Sequence, residues 1–579
     1  MKLSRFHRCT SLFKLLTALS MIALTGNADL FAKTYTWQGG ARGGAGTDQT
    51  NFFKAGNWSP SGFNSENSDL IFTNANASSS SVLDVKDSTT LNSITFGEGA
   101  LSFTLTNSTS LLTLNGGTNI TDNSTNLQTL AVRIALAGDS IWNTGKGAQL
   151  LVSGNISQVG STPSGINKIG SGTLTLSGVN TYTGGTTLSG GVMILSGAGA
   201  TLGSSNSSVT LLGGILDLGA NSRTNNTFAI TSGVLTNGTM NALTYALNGG
   251  AVQANLGGGT INVGGNVTLA GTAIATTVNI NSGTMSLSGA NRLSSNATVA
   301  LSTVATLNLG GHSLTLAGLT GSGSVTNSAG TLTLNAGSGT VTYGGSITGG
   351  GNLLKSGAFA QMLSGTSAFS GTTMVIGGSL SLGTSGRLTQ TASVTVTNGT
   401  TLLLGSSQAN SINTNATLNL GGGQLSMGGA GIGNHRAASQ TFASLTLTAN
   451  SSIDFAALSG TSSLYFRNIS GLSTYTLSIF NWNGTNLYGQ SSATGGANQF
   501  TRLYASTDGY FSSALGNIRF YSGSTTSSTF MGEGSFSGPS SGGFTQIVPV
   551  PEPSVVIAAV MLLGFLVHCQ IRRDFQKSY

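Results

Sequence analysis

Pro551, Glu552 and Pro553 stand directly ahead of an apolar run from Val555 to Val567, and Arg572 and Arg573 follow it. Each proline restricts its own backbone and that of the residue before it, so the Pro-x-Pro pair favours an extended segment that a processing enzyme can grip. Elsewhere, residues able to do chemistry are sparse. Asp84 and Asp87 flank Lys86 and form the best carboxylate pair for glycoside hydrolysis, which needs two carboxyl groups roughly 5 to 10 Å apart. Solvated turn residues are the preferred explanation of that pair. Asp217 stands alone among apolar and glycine residues, and His312 and His435 are isolated from each other and from acidic partners. No Gly-Asp repeat suggests a calcium β-roll. No Gly-x-Ser-x-Gly is backed by a strand-to-helix pattern and a histidine. No catalytic, metal-binding or cofactor-binding residue is therefore assigned, and the expectation is a protein that is not an enzyme.

The elements around the proline pair decide what it could be for. Thirteen apolar residues make a helix of about 20 Å, short of the roughly 30 Å hydrocarbon core of a bilayer. Arginines behind such a helix suit a transient membrane stop with its basic end on the cytoplasmic side; a plain single-pass anchor is the alternative. At the other end, Lys2, Arg5, Arg8 and Lys14 precede the apolar stretch Leu15 to Leu24, a secretory signal peptide with cleavage after Ala28 or Ala32. Cys9 and Cys569 are the only cysteines, so residues 33–548 contain none and gain no disulfide support.

The order Pro551-Glu552-Pro553, apolar run, Arg572-Arg573 resembles the C-terminal signal of PEP-CTERM proteins. That resemblance implies export, action of signal peptidase and of an exosortase-type enzyme, and placement in the envelope, on the surface or in the extracellular matrix of a Gram-negative-type bacterium. Membrane contact through residues 555–567 would be at least transient.

Net charge is +7 for the whole chain, yet residues 33–548 hold fifteen basic and twelve acidic residues, scattered without a run. That excludes a nucleic-acid partner. Glycine, serine, threonine, asparagine, leucine and alanine dominate this interior. Composition alone would fit disorder, but apolar alternation is sustained: Leu101-Ser-Phe103-Thr-Leu105, Leu174-Thr-Leu176, Leu307-Asn-Leu309, Leu332-Thr-Leu334, Val394-Thr-Val396 and Leu445-Thr-Leu447. Period-two alternation with Thr and Ser on the other face predicts short half-buried strands, punctuated by Gly-Gly and Asn-Gly turns.

An internal repeat decides which kind of β-protein this is. Lys168 to Ser196 aligns without gaps to Lys355 to Gly383. Lys168 matches Lys355, Gly170 matches Gly357, Gly178 matches Gly365, Tyr182 matches Phe369, Gly184 matches Gly371, Thr186 matches Thr373, and Gly190-Gly191 matches Gly377-Gly378. The second copy departs where Phe359 and Gln361 replace Gly172 and Leu174. These units resemble the autotransporter-associated β-strand repeat, also called the passenger-associated transport repeat. The resemblance implies an all-β, right-handed parallel β-helix with capping regions. A true autotransporter would end in a membrane β-barrel of amphipathic strands, unlike this apolar run with basic residues; a series of β-sandwich domains is the runner-up architecture.

The expected organisation is a signal peptide over 1–32, an aromatic N-terminal cap over 33–79, a β-helix over 80–438, a C-terminal β cap over 439–521, a Ser/Gly-rich spacer over 522–548 and the sorting signal over 549–579. The aromatics of the first cap, Tyr35, Trp37, Phe52, Phe53, Trp58, Phe63 and Phe72, could instead form a carbohydrate-binding platform. Function is expected to be structural or adhesive, with extracellular polysaccharide as a candidate partner. The alternative is a polysaccharide-active enzyme or carbohydrate-binding protein on a β-helix.

Overall fold

Leucine or valine at every second position can bury one side of a strand only if another layer covers it. A single coil has no core of its own, so burial requires coils stacked on coils. The computed structural model describes residues 32–38, 52–60, 63–64, 66–73, 81–405, 408–428, 439–456, 462–482, 501–506, 514–541 and 544–550. Within them the protein is all-β and folds as a parallel β-solenoid, with two 3-10 turns, Ala55–Asn57 and Leu515–Asn517, and no α-helix. No described helix is long and apolar enough to cross a membrane. The signal peptide, the apolar run 555–567 and the sorting residues Pro551, Glu552, Pro553, Arg572 and Arg573 lie outside the described residues.

The chain divides into two units, residues 1–225 and 226–579. In the first, one parallel ladder starts at Thr34–Trp37 and passes through Ser68–Phe72 to Thr89–Phe96. Farther on it runs through Ser140–Thr144, Ile166–Ile169, Thr186–Leu188 and Ser208–Leu211. A second ladder stacks Ser81–Asp84, Phe103–Thr106, Leu127–Leu130, Gln149–Val152, Thr173–Leu176, Val192–Leu195 and Ile215–Asp217. The register repeats the same inward position coil after coil. Leu150, Leu174, Met193 and Leu216 form one such column, and each is at most 1% exposed. Burying a side chain of this size contributes roughly 1.5–3 kcal/mol.

The aromatic residues at the head of this unit pack on one another. Trp58 stacks on Phe63 at 4.8 Å and meets Trp37 edge-on at 5.1 Å, while Phe72 stacks on Phe96 at 5.2 Å. Tyr35, Trp37, Phe52, Trp58 and Phe72 are all buried, which leaves their ring faces no access to a carbohydrate.

In the second unit a ladder of the same kind runs from Thr227–Ile230 through Thr244–Leu247, Thr260–Val263, Thr277–Ile280 and Thr298–Leu301. It continues in parallel through Ala360–Leu363 and Ser451–Asp454 to Leu477–Phe480 and Ile518–Ser524. The expected boundary at 438 therefore does not interrupt the ladder. The expected spacer is a correction as well. Residues 522–548 are largely paired, because Ser527–Ser541 and Phe544–Val550 form antiparallel strands with each other and with the last parallel strands. A Ser/Gly-rich sequence has little side-chain drive to fold, but an open ladder edge supplies the backbone partners it needs.

Coil corners are set by glycine. Gly170 has φ of +77° and an added Cβ would lie 2.2 Å from the Thr144 carbonyl oxygen, whereas Gly197 has φ of +92° with open space around it. Gly197→Ala should cost about 1–2 kcal/mol from the left-handed backbone alone. Gly170→Ala should cost clearly more, because the neighbouring coil must move. Urea unfolding followed by circular dichroism checks the order, and equal midpoints for the two variants would contradict the close-approach explanation.

Candidate functional site

Inside the repeat, Ile166 and Lys168 point to the same side of the strand Ile166–Ile169, and both are buried. Lys168 Nζ donates to the carbonyl oxygens of Ile169 at 2.9 Å, Gly170 at 2.9 Å and Gly190 at 3.0 Å. Gly190 is 22 residues away, on the next coil, so the ammonium ties one coil to the following one. Lys355 repeats the arrangement with Ser356 at 2.6 Å, Gly357 at 3.0 Å and Gly377 at 2.9 Å. Burial pushes both ammonium groups down to about 8. Three carbonyl acceptors favour the charged form and oppose that effect, so the ammonium is charged at neutral pH.

The matched glycines surround these knots. Gly170 and Gly357 both adopt positive φ, at +77° and +67°. At Gly178, Gly184, Gly365 and Gly371 a Cβ would meet neighbouring backbone at 2.2–2.5 Å. Gly190 and Gly377 supply the distant carbonyl of each knot. A further shared contact closes the coil ahead of each repeat: the Ile156 N–H donates to Asn180 Oδ1 at 2.9 Å, and the Ile347 N–H to Ser367 Oγ at 3.1 Å.

The two departures of the second copy have visible consequences. Phe359, in place of Gly172, lies under the Lys355 ammonium at 3.9 Å from the ring centroid, a cation–π contact. Gln361, in place of Leu174, is fully buried; its Nε2 donates to the Val341 and Met362 carbonyls, while its Oε1 has no hydrogen-bond partner. Where Tyr182 bonds Thr186 Oγ1 at 2.6 Å, Phe369 has no hydroxyl, and Thr373 pairs with Thr391 at 3.1 Å instead.

The candidate catalytic groups have structural partners or lie in exposed turns. Asp84 accepts a hydrogen bond from Asn107 Nδ2 at 2.8 Å, and Asp87 is exposed in the following turn. Asp217 accepts from the Gly219 N–H at 2.8 Å, holding its own turn. His312 sits in the turn after Gly310-Gly311, and His435 lies outside the described residues. Among the described residues no group of three or more His, Cys, Asp or Glu is placed to hold a metal. One carboxylate that the alternation pattern could have flagged is Asp122, two residues after the buried Ile120 and itself fully buried. Its Oδ1 accepts the Ser124 N–H at 3.0 Å and its Oδ2 has no partner. Burial raises its pKa from 3.8 to about 7, against the lowering effect of Ser124.

The outer faces carry regular polar columns. Thr227, Thr244, Thr260, Thr277 and Thr298 occupy one register position on five successive strands. They are half-buried or exposed. Beside them Asn279 Nδ2 donates to Asn262 Oδ1 at 2.9 Å across 17 residues. In the first unit Asn115 Nδ2 bonds Asn67 Oδ1 at 3.0 Å and Asn92 Oδ1 at 2.7 Å.

Two expectations follow. Lys168→Met or Lys355→Met strands three half-buried carbonyls and should cost about 1–3 kcal/mol, whereas Lys146→Met at an exposed position should cost nearly nothing; urea midpoints decide, and indifference to the Lys168 change would remove the knot's structural role. Asp122 holds its proton in the folded state between about pH 4 and pH 7, where the unfolded chain has lost it. Stability therefore falls as pH rises through that window and levels off above it. Asp122→Asn should flatten the profile, and an unchanged slope would point to other groups.

No curated protein and no solved structure matches the chain. Each Lys knot, with its pair of stacked coils, falls within a segment that matches one family model. Residues 166–195 and 353–382 match the Passenger-associated-transport-repeat, so the chain carries two copies of that repeat.

Proposed function

We propose that this is an exported, non-catalytic β-solenoid that serves as a structural and adhesive protein at the cell surface or in the extracellular matrix, and that its PEP-CTERM-like tail is processed or used as an anchor. The repeats and the parallel solenoid fit a surface protein of the autotransporter-passenger type. The finer reading adds a task and a route.

The observation that carries the adhesive role is the threonine column at Thr227, Thr244, Thr260, Thr277 and Thr298. Parallel pairing repeats a uniform, uncharged hydroxyl face at a spacing of about 4.8 Å. Many equal weak contacts on one rigid face bind a repetitive polymer by avidity, and extracellular polysaccharide has that repetitive chemistry. Turnover would require convergent acid–base groups, whereas Asp84 is engaged by Asn107 and Asp217 holds its own turn. The route rests on Pro551, Glu552 and Pro553, the apolar run 555–567 and Arg572-Arg573. In this reading signal peptidase removes the leader and an exosortase-type enzyme acts at the proline pair in a Gram-negative-type envelope.

Two measurements test the reading. Mass spectrometry of protein recovered from native cells should show a C-terminus near Pro551–Pro553, whereas an intact Tyr579 means the tail is an anchor. Purified residues 33–548 should bind, without depolymerising, at least one member of a polysaccharide panel; turnover abolished by Asp84→Asn or Asp217→Asn would replace the structural role with an enzymatic one.

A further inference from the structure

The ladder that carries the threonine column lies in a stretch of chain with almost no charge. Between Asp217 and Asp454 there is no acidic residue. Between Arg223 and Lys355 the only charged residue is Arg292, and the only histidine is His312. Arg292 is half-buried and packs over Gly289, where an added Cβ would lie 2.5 Å from its Nη2. Lys355 is buried and held by the carbonyls of Ser356, Gly357 and Gly377.

Two columns make up the outer side of this ladder. Thr227, Thr244, Thr260, Thr277 and Thr298 form the first, and two residues along each strand Ala229, Ala246, Asn262, Asn279 and Ala300 form the second. Between the two columns, on the inner side, Phe228, Tyr245, Ile261, Val278 and Val299 are fully buried and fix each strand in place. Among the described residues, the hydroxyls of Thr244, Thr260, Thr277 and Thr298 make no hydrogen bond to protein. Corner hydroxyls of the same coils are used internally: Thr272 Oγ1 donates to Asn255 Oδ1 at 2.9 Å, and Ser282 Oγ to the Gly264 carbonyl at 2.7 Å. Threonine is stiff at χ1, so on this face hydroxyl and methyl recur at about 4.8 Å, and five coils give a row of about 19 Å.

We propose that the ligand of this face is a neutral linear polysaccharide laid along the threonine column, across the strands, and that carboxylated, sulfated and amino polymers are rejected. The inference rests on the adhesive reading above and narrows its ligand. A uronate or sulfate brought onto the face would give up hydration and meet no cation, and an amino sugar would meet no carboxylate. A neutral chain bears no such cost. Its hydroxyls exchange hydrogen bonds with the threonine hydroxyls and with the amides of Asn262 and Asn279, while its C–H groups rest on threonine methyls and alanines. Direction follows from the repeat, because only along the column does the face present the same group coil after coil, as a linear polymer presents its sugars.

The test measures binding of the full chain to a neutral β-glucan, a galactomannan, polygalacturonate, a sulfated glucan and chitosan, each at low and high salt. The expected result is binding to at least one neutral polymer, changed less than about twofold by salt, with every charged polymer at least about tenfold weaker. Thr244→Val, Thr260→Val and Thr277→Val together should weaken that binding about tenfold or more, since several equal contacts go at once; valine keeps the shape and the strand preference. Preference for a charged polymer, or a steep loss of binding with salt, overturns the inference and leaves the adhesive reading standing. Binding to none of the polymers sinks both. Neutral binding that the valine changes do not weaken places the site elsewhere and overturns the inference alone. If the triple variant loses its β-sheet signal, Thr277→Lys at an exposed position takes its place. It should weaken the neutral polymer and give salt-sensitive binding to polygalacturonate, and no change in either overturns the assignment to this face.

Discussion

Stacking of coils in strict register is the constraint on which everything else in this protein depends. Parallel strands lie about 4.8 Å apart, so each coil must repeat the path of the one before it closely enough for core columns such as Leu150, Leu174, Met193 and Leu216 to form. The same closeness brings corner backbones into contact. At Gly184 an added Cβ would sit 2.4 Å from the Ser164 carbonyl carbon, and at Gly365 2.2 Å from the Gly345 carbonyl oxygen. Glycine at these corners is a packing requirement. It also explains how a chain with 87 glycines can be ordered.

Corners made of bare backbone create a second requirement, because their carbonyls are removed from water and need donors. Lys168 and Lys355 meet it with three hydrogen bonds each. Arg223 does the same elsewhere, donating to the carbonyls of Gly197, Ala198, Ala200 and Leu218. Uncharged side chains take the role at Gln128, bonded to Leu101 and Asn126, and at Gln440, bonded to Ile412 and Thr441. These buried polar groups join a coil to its neighbour, and all carry donors in excess of what their own strand needs. The knots persist in both repeats although Gly172, Leu174 and Tyr182 change to Phe359, Gln361 and Phe369, so the carbonyl-binding ammonium outlasts the packing around it.

Much of the architecture was legible because it rests on local periodicity. Alternation at Leu174-Thr-Leu176 or Leu332-Thr-Leu334 states which side is buried, and the matched glycines mark where the coil turns. The same alternation points Lys168 and Asp122 inward, but a charged residue in an inward position is usually discounted as a strand end. Only the carbonyl set around Lys168 explains the exception. Residues 522–548 misled for the opposite reason: serine and glycine describe side chains with little to bury, whereas pairing there depends on an open edge contributed by distant strands. The aromatic residues near the N-terminus were ambiguous between core and platform, since ring composition does not reveal which faces other rings will cover.

By itself the sequence determined the all-β class, the solenoid and its repeat, the glycine corners, and the scarcity of groups that could do chemistry. Each of these follows from side chains a few residues apart, or from two segments sharing one pattern. Tertiary structure alone decided which coil lies beside which, and so what each buried polar group meets. It gave Lys168 a carbonyl from Gly190, left Asp122 with an unpaired oxygen, aligned five threonines on one face and paired the serine-rich stretch 527–541 into an antiparallel hairpin. Those outcomes depend on contacts about one coil apart in the chain, set by register, and no local pattern carries the register.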